Sequence, residues 1–191
     1  MDALLPDDES CRKAFALLPD WRRRKCEALR FAADRRRSVA AWMLLVELLA
    51  VRGVDASGLA VEIGATGRPE FVPSVGWRFS LSHAEGRVMA AVSDRPVGCD
   101  VERVRPLEPG LPEACLDEVE LARFAALAEA SERERLFCRL WTRKESLGKA
   151  LGRGLGDDPR LLAVSGGCPV SGAAFTDLDF GDGHLGCVCT I

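Results

Sequence analysis

Two acidic residues share one face of a short predicted strand. Asp100 and Glu102 lie two positions apart in the run Val97-Gly98-Cys99-Asp100-Val101-Glu102, and alternate residues of a strand point to the same side. Neighbouring carboxylates repel each other, and one takes up a proton unless a cation lies between them. Mg²⁺ prefers such oxygen ligands, often together with phosphate from a substrate. Because an Asp-x-Glu at a strand end is more often a solvated edge, the pair indicates a metal site only if a third ligand joins it.

A third carboxylate and a cation are predicted on one face of a long helix. Trp141, Glu145 and Lys149 follow one another at four-residue spacing, which places them on the same stripe. An exposed Glu145–Lys149 ion pair is the ordinary interpretation, but Trp141 indicates that the stripe is partly covered. Ser82 and His83, at the end of an earlier predicted strand, are donors suited to a phosphate, although a histidine in that position is more often structural or solvated.

Basic residues are dense near the N-terminus. They fill positions 22–25 and 35–37, on a stretch that is predicted to be helical. Such cations and a helix N-terminus can together hold a phosphate. A solvated arginine face is the common alternative, and without further context it is favoured.

The composition limits the class of protein. The chain has 191 residues, is 48% hydrophobic and carries a net charge of −3, which allows a buried core and argues against a general nucleic-acid binder. No apolar run approaches membrane-spanning length, and the N-terminus lacks the basic leader and apolar core of a secretion signal. We therefore expect a cytoplasmic protein without membrane contact. The eight cysteines are scattered, which favours reduced thiols.

The predicted order of elements, a helical stretch followed by strands, occurs twice along the chain. A helical stretch at 22–52 precedes strands at 75–81, 87–93 and 97–101, of which the last two are expected to form a hairpin. After a link at 103–110 rich in proline and glycine, helices are predicted at 113–130 and 132–151, and strands at 161–164, 172–179 and 185–190. We expect an α+β fold with an N-terminal half at 1–104 and a C-terminal half at 105–191, each a helix packed on a small antiparallel sheet.

Three stretches in this order resemble the 4′-phosphopantetheinyl transferase superfamily, specifically its two-domain Sfp-like branch. The first is Phe79-Ser80-Leu81-Ser82-His83, and the second is the run that ends in Asp100-Val101-Glu102. The third, from Trp141 to Leu155, matches the family pattern W-x-x-K-E-[SA]-x-x-K-x-x-G-x-G-L at every fixed position. Thr66-Gly67-Arg68-Pro69 and Asp34-Arg35-Arg36-Arg37-Ser38 also resemble family features.

The resemblance implies two similar α/β halves related by a pseudo-twofold axis. It also implies an enzyme that transfers 4′-phosphopantetheine from coenzyme A to a serine of an apo acyl or peptidyl carrier protein. That reaction depends on Mg²⁺ and releases adenosine 3′,5′-bisphosphate, and the enzyme is expected to be a monomer. Carried over residue by residue, the metal ligands are Asp100, Glu102 and Glu145, and the catalytic residues are Glu145 and Lys149. The implied coenzyme A contacts are Arg22, Arg24, Lys25, Arg37, Ser38, Arg68, Pro69, Ser82, His83, Asp100 and Lys149.

Two other interpretations stay open. A catalytically silent module on the same fold would bind coenzyme A or a carrier protein, but the joint presence of Asp100, Glu102, Glu145 and Lys149 argues against it. A nucleic-acid binder would use the arginines of 22–37, but the acidic balance of the remaining chain disfavours it. Trp21 lies where relatives often carry a basic contact, so the residue of 22–25 that meets the 3′-phosphate is not assigned.

Overall fold

A computed structural model of the chain describes residues 2–4, 8–56, 59, 61–64, 69–71, 76–165, 168 and 170–191. The helices are α1 (Asp8–Ala16), α2 (Asp20–Glu27), α3 (Ala32–Val51), α4 (Leu111–Cys115), α5 (Glu118–Ala125) and α6 (Ala130–Leu151). The strands are β1 (Asp2–Leu4), β2 (Val61–Ile63), β3 (Pro69–Phe71), β4 (Arg78–Ala84), β5 (Arg87–Ser93), β6 (Val97–Arg103), β7 (Ala174–Asp179) and β8 (His184–Thr190). The expected α+β class is confirmed.

The first sheet is built around the β4–β5 hairpin. The turn at Glu85-Gly86 connects the two strands, with Gly86 in the left-handed region (φ 78°) that suits a tight turn. β1 pairs with the other edge of β5, which gives the strand order β1-β5-β4. The predicted hairpin between 87–93 and 97–101 is therefore wrong. Both edges of β5 are occupied, so β6 has no edge of β5 to join.

The second sheet has the order β6-β8-β7, with antiparallel pairing throughout. Asp100 lies opposite Cys187, and Glu102 lies opposite Leu185. The predicted strands at 172–179 and 185–190 are confirmed as β7 and β8. The predicted strand at 161–164 is wrong, because Asp158 and Pro159 begin a short 3₁₀ helix there instead. Since β6 pairs with β8, backbone hydrogen bonds attach the last strand of the predicted N-terminal half to the C-terminal sheet.

One long helix covers each three-stranded sheet. α3 packs on β4 and β5, and α6 packs on β6 and β8. The predicted helix at 22–52 is divided into α2 and α3, because Arg35 Nη1 donates to the carbonyl groups of Leu29 and Arg30 and stabilises the break. The predicted helix at 113–130 is likewise divided into α4 and α5. Asp117 is the N-cap of α5 and forms a capping box with Glu120.

Two serines of β4 hold the two sheets together. The backbone N–H of Cys99 donates to Ser80 Oγ at 3.0 Å, and that of Val101 donates to Ser82 Oγ at 3.4 Å. Buried apolar side chains, with Met89 of β5 among them, surround Cys99 and Val101. The backbone N–H groups on the edge of β6 that has no partner strand in the described part of the chain thus bond to side chains of β4. These bonds fix β4 beside β6.

Gly98 lets α6 approach β6 closely. A Cβ at this position would overlap the Ser146 carbonyl oxygen and would lie 2.6 Å from the Ala150 nitrogen. α6 then ends at Gly152, whose left-handed conformation (φ 73°) is typical of a helix C-terminus. The last two turns of α6 consequently lie against the strand that carries Asp100.

The eight cysteines are free thiols, as predicted. Among the described residues, no helix has the length and the apolar character needed to cross a bilayer. The division at 104/105, the pseudo-twofold axis and the monomeric state stay predictions.

Candidate active site

Three elements bring Asp100, Lys149 and Ser82 together. Lys149 Nζ lies 2.6 Å from Asp100 Oδ1 and 3.4 Å from Ser82 Oγ, and Ser82 Oγ donates to the same Asp100 oxygen at 2.7 Å. Burial alone lowers the pKa of Lys149, but the Asp100 carboxylate outweighs that effect and raises the pKa above its ordinary value. The cluster therefore joins β6, α6 and β4 around one carboxylate.

The second oxygen of Asp100 lacks such contacts. Asp100 is 3% exposed, and its Oδ2 has no hydrogen-bond partner among the residues that the structure describes. A buried polar atom left without a partner typically costs about 1–3 kcal/mol. A carboxylate with one paired and one orphaned oxygen is an arrangement that a bound cation would satisfy.

Glu102 and Glu145 share the electrostatic environment of Asp100. Burial raises the pKa of Glu102, and the charges of Asp100 and Glu145 raise it further, against the opposing effect of Arg105 and Lys149. Burial also raises the pKa of Glu145; Lys149 opposes this shift and Asp100 adds to it. The three carboxylates are therefore close enough to disfavour one another's charge.

These carboxylates suit a divalent cation by their donor chemistry. Among the described parts of the chain, however, no group of three or more His, Cys, Asp and Glu side chains is arranged to hold a metal ion. Lys149 supplies the positive charge at Asp100 Oδ1 instead. The ligand set Asp100, Glu102 and Glu145 stays a prediction, which the orphaned Asp100 oxygen and the raised pKa values of both glutamates favour.

His83 faces a basic surface near the start of α3. Partial burial lowers the pKa of His83, and the charges of Arg37 and Arg22 lower it further. Both guanidinium groups are therefore within electrostatic range of the imidazole ring. Arg37 also pairs with Asp34 on the same helix. The imidazole N–H is a hydrogen-bond donor and the guanidinium groups supply positive charge, both of which suit a phosphate.

Arg22 and Ser38 lie within the contact between α2 and α3. Arg22 Nη2 donates to the Ser38 carbonyl group at 2.9 Å, and Cys26 Sγ donates to Ser38 Oγ at 3.2 Å. Arg22 and Ser38 are buried, whereas Arg24 and Lys25 are exposed. Burial, followed by the charge of Arg22, lowers the pKa of Lys25.

Two predicted contacts lie beside a part of the chain that the structure does not describe. Arg68 lies outside the described residues, and Pro69 begins β3. Neither of their predicted roles is tested by the geometry.

Lys144 of the Lys-Glu motif has a structural role that the motif alone did not predict. Lys144 and Glu120 are both 0% exposed and form an ion pair at 2.7 Å. Lys144 Nζ also donates to the carbonyl groups of Pro159 and Leu162, and Glu120 Oε1 accepts from the Val164 backbone. This network joins α5, α6 and the segment before β7. The spacing of Asp117 and Glu120 fits a capping box, but such a local pattern does not indicate a lysine on another helix.

A cleft of about 470 Å³ opens beside Glu102. The segment that follows β6 forms one wall, with Arg105 and Leu107, and α6 forms the other, with Phe137 and Trp141. The two rings are stacked, with an interplanar angle of 13°. The lining combines apolar and aromatic side chains with charged ones of both signs, a mixture typical of small-molecule sites.

Comparison with known proteins agrees with this geometry. A family model described as "ACPS: 4′-phosphopantetheinyl transferase superfamily" matches residues 96–172, from β6 through α6. Over this stretch the chain is similar to the 4′-phosphopantetheinyl transferase superfamily. The matched region includes Asp100, Glu102, Glu145 and Lys149, which lie on β6 and α6. Strands β7 and β8 of the second sheet lie beyond it.

Individual members of the superfamily are similar over longer or shorter stretches. The 4′-phosphopantetheinyl transferase psf-1 of Bacillus pumilus is 28% identical over 155 residues, which cover 78% of this chain and 66% of that protein. The 4′-phosphopantetheinyl transferase AcpT of Escherichia coli K12 is 36% identical over 92 residues, covering 47% of each chain. The chain thus spans about two thirds of the first relative and about half of the second.

Among solved structures, the holo-[acyl-carrier-protein] synthase AcpS of Thermotoga maritima matches 49% of this chain and 61% of its own. The TM-score is 0.40 and the sequence identity is 24%. That match is too partial to bear on the fold.

Proposed function

We propose that this protein transfers the 4′-phosphopantetheine group of coenzyme A to a serine of an apo carrier protein. The observation that carries the proposal is the meeting of Asp100, Lys149 and Ser82, with one Asp100 oxygen buried and orphaned. The relatives named above are 4′-phosphopantetheinyl transferases, and the similar region contains Asp100 and Lys149.

In this proposal Asp100, Glu102 and Glu145 would hold Mg²⁺. When bound, the ion supplies positive charge that neutralises a pyrophosphate and its leaving group. The residues fit that role because two of the three carboxylates have raised pKa values and the third has an unpartnered oxygen. Burial and then the neighbouring carboxylate charges raise those pKa values, and a cation would offset both effects.

The chain's own residues would position the other reactants. Lys149, which keeps its proton beside Asp100, would donate to an oxygen of the pyrophosphate. His83, Arg37 and the exposed cations of α2 would hold the phosphates of the nucleotide end. The cleft beside Glu102, which Arg105 and Trp141 line, would bind the uncharged pantetheine arm.

Glu145 is the proposed base. Its raised pKa makes its carboxylate a better proton acceptor than that of an ordinary glutamate. It would take the proton of the carrier serine, directly or through a water, as the serine oxygen attacks the phosphorus on the pantetheine side. The bond to the bridging oxygen breaks, and adenosine 3′,5′-bisphosphate leaves.

A silent module that only binds coenzyme A or a carrier protein is the second candidate. It would need no base, yet the cluster includes a carboxylate with a raised pKa beside a protonated lysine. We also propose that the enzyme acts as a monomer in the cytoplasm.

Mass spectrometry separates the two candidates. The protein is incubated with coenzyme A, Mg²⁺ and each of several apo acyl and peptidyl carrier proteins. The transferase adds the mass of one phosphopantetheine to at least one carrier, and adenosine 3′,5′-bisphosphate appears in equal amount. If coenzyme A binds but no carrier gains mass, the silent module is correct. A panel of carriers also shows which class is served.

A further inference from the structure

The hydroxyl group of Ser82 contacts both members of the Asp100–Lys149 pair. It lies 2.7 Å from Asp100 Oδ1, 3.4 Å from Lys149 Nζ and 3.4 Å from the backbone nitrogen of Val101. The ammonium group and the backbone N–H can only donate, so Ser82 accepts from both and donates its proton to the carboxylate. A hydroxyl group has one proton and two lone pairs. The three contacts therefore use the whole hydrogen-bonding capacity of Ser82.

A bound phosphate would need the proton that Ser82 gives to Asp100. Phosphate oxygens are acceptors, so a neutral side chain holds them only by donating. Ser82 is 8% exposed, and its only proton is directed to a carboxylate oxygen. The next residue, His83, points to the other side of β4 and is exposed. Of the two donors at this end of β4, His83 is therefore the one that a phosphate can reach.

We propose that Ser82 is a positioning residue for the Asp100–Lys149 pair and that its side chain makes no contact with coenzyme A. Its hydroxyl group holds Asp100 Oδ1 and Lys149 Nζ in place, so that both groups act on the same phosphoryl group. The effect on catalysis rests on the proposed function. This role replaces the coenzyme A contact that the resemblance implies for Ser82.

Lys149 alone would orient Asp100 less firmly than the two donors do together. A lysine ammonium group is a point charge on a flexible stem, and the Lys149 side chain is 28% exposed. The Ser82 hydroxyl is carried by a short, buried side chain on a strand that is bonded to β6. Because both donors bind Oδ1, Oδ2 of Asp100 is the carboxylate oxygen left for a ligand.

Ser80 offers a matched comparison on the same strand. It lies two residues before Ser82, so both side chains point to the same face of β4. Ser80 is 6% exposed, and its Oγ accepts from the Cys99 backbone at 3.0 Å, as Ser82 Oγ accepts from Val101. Removal of either hydroxyl group therefore breaks a bond between the sheets, but the hydroxyl group of Ser82 also bonds to Asp100 and Lys149.

Binding and kinetics of serine variants test this assignment. Calorimetry gives the Kd for coenzyme A, and the carrier assay gives kcat. In Ser82→Ala we expect kcat to fall about 10- to 100-fold, as it does when catalytic groups are slightly displaced. The Kd for coenzyme A should stay within about threefold of the wild-type value, because only the chemical step depends on Ser82. Ser82→Thr, which keeps the hydroxyl group, should recover most of the lost kcat.

Controls separate this effect from a general loss of structure. Ser80→Ala should keep kcat within about threefold of wild type, since it leaves the Asp100–Lys149 pair intact. Lys149→Met should weaken coenzyme A binding and so shows that the calorimetry detects a lost phosphate contact. If Ser82→Ala does not fold, Ser82→Cys replaces it, because a thiol is of similar size but is only a weak donor.

A direct contact between Ser82 and coenzyme A predicts a different result. Loss of a hydrogen bond to a charged phosphate weakens binding about 10-fold or more. A loss of that size in the coenzyme A affinity of Ser82→Ala would overturn the proposal, whatever its kcat.

Crystal structures of the variants decide the positioning role without an activity measurement. In Ser82→Ala we expect the Asp100 carboxylate to turn and Lys149 Nζ to move from its place beside Oδ1, whereas both groups should stay in place in Ser80→Ala. Wild-type positions of Asp100 and Lys149 in Ser82→Ala would contradict the role. If the wild-type protein modifies no carrier, the proposed function fails, and these structures still decide whether Ser82 positions the pair.

Discussion

Gly98 of β6 packs against the backbone of Ser146 of α6 so closely that no side chain fits between them. This contact sets the height of α6 above the sheet. Lys149, one turn further along the helix, consequently reaches Asp100 at 2.6 Å. Glycine usually destabilises a strand, but Gly98 positions the site by allowing α6 to approach β6.

The first prediction follows from that contact. Gly98→Ala must push α6 away or distort β6, because the nearest atoms are backbone. We expect a loss of more than about 3 kcal/mol in the free energy of unfolding, together with loss of transfer. Gly53→Ala is the control. An added Cβ at Gly53 would have no atom within 4 Å, so the only cost is the strain of a left-handed backbone (φ 73°). That strain is about 1–2 kcal/mol in the free energy of unfolding. Denaturant unfolding of both variants measures the difference, and equal losses would show that the close contact is unimportant.

The second prediction concerns the Asp100–Lys149 pair. Asp100→Asn keeps the size of the side chain but leaves Lys149 without its buried counter-charge, so we expect the pKa of Lys149 to fall toward or below its ordinary value. Transfer should be lost at neutral pH. Asp158→Asn, which breaks an ion pair with Arg160 on the surface, should transfer as wild type does. NMR titration of the Lys149 ammonium group checks the shift, and an unchanged pKa would rule out Asp100 as its cause.

The third prediction is a pH dependence of metal binding. Glu102 and Glu145 have folded-state pKa values raised above those of the unfolded chain. Their contribution to stability is therefore complete below the unfolded value and is lost as the pH rises through the folded value. Mg²⁺ competes with those protons, so the increase in melting temperature on adding Mg²⁺ should be larger at pH 7.5 than at pH 5.

The control for this prediction is Glu102→Gln, which should reduce the Mg²⁺ effect and its pH dependence together. Calorimetry with and without Mg²⁺ at both pH values provides the measurement. A stabilisation of the same size at pH 5 and pH 7.5 would contradict metal binding at these glutamates.

The fourth prediction concerns the buried pair away from the site. Lys144→Met leaves Glu120 charged, unpaired and fully buried, which typically costs about 3–5 kcal/mol. Lys144→Met combined with Glu120→Leu removes both charges and should recover a large part of that loss. Lys13→Met is the matched control, because the Lys13–Glu9 pair is exposed (76% and 70%) and such pairs contribute about 0–1 kcal/mol. Urea unfolding measures the free energy of unfolding of the three variants. If Lys144→Met were as stable as Lys13→Met, Lys144 would have no structural role.

The sequence was sufficient where a feature depends on local pattern. The alternation that places Asp100 and Glu102 on one face is a property of any strand. The four-residue spacing of Glu145 and Lys149 is likewise a property of any helix. The existence of α6 and the capping box at Asp117 follow from the same kind of local rule.

Features that depend on partner choice were not accessible in this way. The pairing of β6 with β8 instead of β5 depends on β1 taking the second edge of β5, a contact between residues more than eighty positions apart. The break between α2 and α3 depends on the Arg35 side chain reaching back to two carbonyl groups. Lys144 belongs to the same motif as Glu145, yet it bonds to Glu120 on another helix, and no periodicity indicates such a partner.

We propose that Glu145 of α6 and Asp100 of β6 act together on one phosphoryl group. The most direct test measures the mass of an apo carrier protein after incubation with coenzyme A, Mg²⁺ and one of three enzymes: wild type, Glu145→Gln or Glu132→Gln. Glu132 is the control because it is an exposed glutamate of the same helix. We predict one added phosphopantetheine with wild type and Glu132→Gln, and a rate at least about 100-fold lower with Glu145→Gln. Transfer by Glu145→Gln at the wild-type rate would contradict the account.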